Sequence, residues 1–96
     1  MKNTSSKHEI EVYLQNRLRK SYPSISKRHL EDAVQKMSDI VKFLVDIPLC
    51  ESAAVGIGFS VKQSSETIAK DNGLDADKIC DIIFEASRAL SRKSSN

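Results

Sequence analysis

Between Leu30 and Val45 the apolar side chains return at i, i+3, i+4 and i+7: Leu30, Ala33, Val34, Met37, Ile40, Val41, Leu44 and Val45. That period places all eight on one face of an α-helix, whereas a strand would scatter them over both faces of a sheet. The spacing predicts a helix over 27–46, and a helix with one apolar stripe must pack that stripe against other elements. Pro48 bounds it, because proline cannot continue the hydrogen-bond ladder.

The flanking segments follow the same period. Ser6 as N-cap and Glu9 three residues later form a capping box for a helix over 7–21. Ile10, Tyr13, Leu14, Leu18 and Tyr22 line its apolar face, and Pro23 closes it, with Ser24 and Ser26 both suited to cap the next helix. Near the other end, Asn72-Gly73 is a stop signal: glycine takes the left-handed conformation past the last turn and Leu74 supplies the accompanying apolar contact. Asp75 caps a last helix over 76–92, with Ile79, Ile82, Ile83, Ala86 and Leu90 as its inner face and Asp77 favouring its dipole.

The segment 51–72 reads two ways. Val55, Ile57, Phe59 and Val61 alternate with Gly56, Gly58 and Ser60, which is a strand pattern. No second segment offers the alternation that a partner strand needs, and Ala53, Ile57, Val61, Ser64 and Ile68 also share a helical face, so a helix is the favoured reading. In it Ser52, Gly56, Ser60 and Ser64 form a small-residue stripe. Two glycines inside a helix cost about 1 kcal/mol each relative to alanine, which points to close approach by a neighbouring helix, within the chain or from a second copy. The expected fold is therefore all-α: one domain over 1–96, a compact bundle of about four helices with frayed ends at 1–6 and 94–96 and a helix-turn-helix-like hairpin over 64–92.

Size and composition restrict function. With 40% hydrophobic and 29% charged residues the chain of 96 lies inside the globular range. At that length only roughly 60–65% of the unfolded surface is buried, so a deep cavity for substrate and cofactor is not expected. Apolar runs stop at three residues, as at Phe43 to Val45, against about 20 for a membrane span. The polar start, Met1 to Lys7, lacks the apolar centre of a secretory signal, and a cytoplasmic location is expected. Cys50 and Cys80 have neither CxxC nor Cys/His spacing, so no metal site, cofactor or disulfide framework is indicated. His8 and His29 both stand in charged stretches away from any nucleophile frame, and Gly56-Ile57-Gly58 lacks the remainder of a phosphate-cradling loop. No enzyme is expected.

Charge is distributed unevenly. No acid occurs between Glu11 and Glu31, while Arg17, Arg19, Lys20, Lys27, Arg28 and His29 gather there across the first turn, 17–29. Three of them open the second helix, where cations oppose the dipole by about 0.3–1 kcal/mol each. Such a corner suits an anionic partner, either an acidic protein surface or nucleic-acid phosphate.

The run from Ile68 to Ile83 resembles the helix-turn-helix of phage and bacterial repressors: a small Ala69, Gly73 in the turn, apolar Leu74 after it, and Ile79 and Ile82 on the buried side. The resemblance covers about a sixth of the chain and implies that the second helix would read the major groove. Two positions depart from it. Asn72 stands where an apolar residue is usual, and Asp75, Asp77 and Asp81 would face the phosphates. An αα-hairpin accounts for the same pattern. The resulting expectation is a small non-enzymatic accessory or regulatory protein of a bacterium, phage or plasmid that binds another protein. The alternative is a nucleic-acid-binding regulator using either 17–29 or 68–83. Short helices can also pair with a second copy, through a face such as Ser52, Gly56 and Ser60, although no heptad seam specifies a homodimer.

Overall fold

The computed structural model describes residues 7–46 and 51–94, with side chains over 7–45 and 58–90. Four helices account for nearly all of it: α1 (Lys7–Ser21), α2 (Lys27–Asp46), α3 (Glu51–Asn72) and α4 (Ala76–Ser94). The ambiguous segment is thus helical, and no strand occurs among the described residues. The expected cap at Ser6 and the stop at Pro48 lie outside the described residues, as do 1–6 and 95–96, whereas Ser94, expected to be frayed, belongs to α4, which runs two residues past the expected end at 92.

α2 and α4 form the middle of the bundle. Each packs against the other three helices, whereas α1 and α3 flank them on opposite sides and do not touch among the described residues. The result is a flattened body of 37 × 28 × 16 Å. Its core combines Ile10, Leu14 and Leu18 of α1, Leu30, Ala33, Val34, Met37, Val41 and Leu44 of α2, Val61, Ile68 and Ala69 of α3, and Ile79, Ile82, Ile83, Ala86 and Leu90 of α4. Fully burying one isoleucine or leucine is worth about 1.5–3 kcal/mol, so these rows hold the helices far more firmly than any surface pair could.

Three serines share that interior. Ser38 and Ser65 are fully buried and Ser87 nearly so. Each hydroxyl donates back to its own helix: Ser38 to the Gln35 carbonyl, Ser65 to Val61 and Ser87 to Ile83, at 2.7–2.8 Å. A satisfied hydroxyl removes most of the desolvation penalty and leaves a small side chain where helices cross.

The two tight reversals lie at the same end. In the first, the Tyr22 carbonyl accepts the Ile25 N–H at 3.0 Å around Pro23-Ser24, and Ser26 Oγ accepts the His29 N–H at 3.2 Å as the N-cap of α2. In the second, Gly73 has φ +67°, and the Leu74 N–H returns to the Ala69 carbonyl at 2.8 Å, closing α3 with a Schellman motif. Asp75 Oδ1 then accepts the Asp77 N–H at 3.1 Å and opens α4.

Candidate interaction surface

Side chains tie the two reversals together. The Asp75 N–H donates to the Tyr22 hydroxyl at 3.0 Å, and Lys78 Nζ stands 5.8 Å from the centre of the Tyr22 ring, within cation–π range. Behind them Asn72, only 7% exposed, joins groups of α2 and α3. Its Nδ2 donates to Asp32 Oδ2 at 3.0 Å and to the Ile68 carbonyl at 3.1 Å, while its Oδ1 meets His29 Nδ1 at 2.8 Å. Because the amide nitrogen is committed to two acceptors, the oxygen faces the ring, and His29 Nδ1 is the protonated nitrogen of that pair. Lys36 completes the network, 3.2 Å from Asp32 and 3.4 Å from Asp71. The hydrogen bond from Asn72, followed by that from Lys36, holds the Asp32 carboxyl below its ordinary pKa, and the two carboxylates raise that of Lys36.

Between the reversals runs an open groove of about 530 Å³ lined by Ser21 to Ser26, His29, Asn72, Gly73 and Leu74. Its apolar surface comes from Tyr22, Pro23, Ile25 and Leu74, of which Tyr22, Ile25 and Leu74 rest against the core from above. One lip is the α1–α2 reversal. Arg19 and Lys20 end α1, Lys27 and Arg28 begin α2, and all four are exposed, with no ion-pair partner among the described residues. The first turn of α2 holds no acid, so Lys27 and Arg28 oppose its dipole uncompensated there. The other lip, the α3–α4 reversal, carries Asp71, Asp75 and Asp77, all exposed.

The structure separates the six basic-corner residues into three roles. Arg19, Lys20, Lys27 and Arg28 stand in the chain directly before and after the lining segment Ser21 to Ser26, and His29 lines the groove while bonded to Asn72. Arg17 faces α4 instead: it forms an ion pair with Glu85 and donates to the Tyr13 hydroxyl at 3.4 Å. Partial burial works against the Arg17 charge, but Glu85 and then Tyr13 more than offset this, and its pKa rises. Arg17 therefore lines a second, more polar hollow of about 350 Å³ with Tyr13, Glu85, Arg88 and Ala89.

Of the proposed packing stripe, Ser52 and Gly56 lie outside the described side chains and Ser60 is exposed. At Gly58 a Cβ would meet nothing within 4 Å among the described residues. Among the described side chains, the buried face of α3 is Val61, Ser65, Ile68, Ala69 and Asn72. The positions that would face DNA include Asp75, just before α4, and Asp77 and Asp81 within it, all exposed, and Asn72 at the end of α3 is occupied by its own network. Among the described residues no three His, Cys, Asp or Glu side chains are grouped to hold a metal ion, and no helix is long and apolar enough to cross a membrane. Comparison with protein-family models, curated proteins and solved structures finds no match to this chain.

Proposed function

We propose that this chain is a non-enzymatic binding protein, a small cytoplasmic accessory or regulatory factor that engages another protein through the α1–α2 end of the bundle. The observation that carries this reading is the set of four exposed cations, Arg19, Lys20, Lys27 and Arg28, that the fold uses in no ion pair among the described residues. Two of them sit against a helix dipole, a placement unfavourable to the free chain that an anionic partner would relieve.

Protein is favoured over nucleic acid by what lies across the groove. A phosphate backbone laid over this end would meet Asp71, Asp75 and Asp77 on the opposite lip, whereas a folded protein surface can match both signs at once. Affinity capture from a lysate with and without nuclease tests the choice. Capture of a protein that survives nuclease, and is lost when Arg19, Lys20, Lys27 and Arg28 are all replaced by Gln without loss of helicity, is the expected result. Capture that disappears with nuclease, together with duplex binding that weakens steeply as salt rises, would assign the corner to nucleic acid.

A further inference from the structure

We infer that the groove between the two reversals receives a short acidic segment of the partner, with one apolar side chain of that segment seated over Ile25 and Leu74. The inference rests on the protein-binding reading and specifies what would be bound. Its volume of about 530 Å³ lies within the roughly 300–1,000 Å³ of sites that enclose a small ligand, yet it is open along its length, which suits a stretch of chain more than a compact molecule.

The groove pairs two features in the way interface hot spots do. Tyr22, Ile25 and Leu74 are only partly buried although they pack on the core; Lys78 stands over the Tyr22 ring, and the outer faces of Ile25 and Leu74 form an apolar floor in water. Arg19 and Lys20 precede, and Lys27 and Arg28 follow, the segment Ser21 to Ser26 that lines the groove, and all four are exposed and in no ion pair among the described residues. An apolar anchor gains affinity by covering the floor, and carboxylates beside it set direction by meeting the cations while keeping clear of Asp71, Asp75 and Asp77. The floor is also pre-organised. The Tyr22 hydroxyl is held by the Asp75 N–H, Leu74 is held in the Schellman motif, and His29 is held by Asn72, so little ordering entropy remains to be lost on binding. Charge complementarity therefore selects the segment and the floor anchors it.

The probe is a random twelve-residue peptide library displayed on phage and selected on the full chain. The expected outcome is enrichment of sequences that combine several Asp or Glu with a Leu, Ile, Phe or Met. A synthetic peptide from that pool should perturb the Ile25 and Leu74 methyl resonances. Its affinity should fall about tenfold or more on Ile25→Asp, and again when the peptide's apolar residue is changed to Ser. Ile25→Lys, which loses the same apolar surface but adds a cation, controls for folding by circular dichroism and should weaken binding less than Ile25→Asp. Absence of enrichment, equal binding of the apolar and Ser peptides, or resonance shifts confined to another face would each overturn the groove proposal. Lysate capture that persists in Ile25→Asp but is lost in the four-Gln variant would overturn the groove while leaving the protein-binding reading intact. Loss of neither would sink both.

Discussion

The two reversals at one end of the bundle solve the same geometric problem with opposite chemistry. The α3–α4 reversal uses its polar groups on its own fold: Gly73 takes φ +67°, Asn72 is buried with three partners, Asp75 caps α4 and Asp71 pairs with Lys36. The α1–α2 reversal is held by Pro23, one turn hydrogen bond, the Ser26 cap and the Tyr22 and His29 bonds to its counterpart, and its four cations form no ion pair among the described residues. Charges that a fold does not need are free to serve recognition. On the proposed reading, the difference between the lips separates the side that maintains the shape from the side that would meet a partner.

The sharpest way to break that comparison is Asn72→Ala. The substitution removes three hydrogen bonds at once from a nearly buried site, but Asp32 and His29 can rehydrate, so the expected loss is about 2 kcal/mol. For a chain of this size that is a fall in Tm on the order of 10 °C. An unchanged Tm would mean that Asn72 does not latch the two hairpins together. The same network has a pH signature. The folded-state pKa of Asp32 lies below its ordinary value, so its contribution is present above the ordinary carboxylate range and is lost as pH falls through about 4 and below. Asp32→Asn should therefore flatten the acid limb of a stability–pH profile, and an identical limb in both proteins would remove Asp32 from the account.

The next effects in size compare how each reversal is closed. Gly73→Ala meets no neighbouring atom within 4 Å, so its cost is backbone strain alone, about 1–2 kcal/mol for a left-handed residue with a Cβ. Ser26→Ala removes the α2 cap and should cost about 1 kcal/mol. Chemical denaturation of both variants checks the ranking. If Ser26→Ala proved the costlier, the α1–α2 reversal would carry as much of the fold as its counterpart, and the contrast between the lips would weaken.

Local signals made the architecture legible. The α2 stripe from Leu30 to Val45, the breaks at Pro23 and Gly73, and the caps at Ser26 and Asp75 each depend on residues a few positions apart, and each appears in the fold as the spacing implied. Even the buried serines carried a readable signal: Ser38, Ser65 and Ser87 each stand four residues after a buried Val34, Val61 or Ile83. Polarity obscured it, since a hydroxyl that returns to its own helix looks like a surface group in a sequence. The candidate site was legible only in half. The cations were visible as an acid-free stretch, but their opposite lip was not, because it is brought there by Asn72 contacts to residues 40 and 43 positions away. Nor could spacing show that Arg17, two residues before Arg19, faces Glu85.

The smallest expected stability effect is the most discriminating. In Lys27→Gln with Arg28→Gln, each change relieves a cation from the first turn of α2, worth roughly 0.3–1 kcal/mol, and gives up an i, i+4 attraction to Glu31 or Asp32, worth roughly 0.2–0.5 kcal/mol. The dipole contribution is the larger, so Tm should hold or rise slightly while partner capture falls. A residue pair that lowers stability and raises binding is placed for the partner and not for the fold. If instead Tm dropped by several degrees with capture unchanged, Lys27 and Arg28 would belong to the framework, and the two lips would differ only in sign of charge.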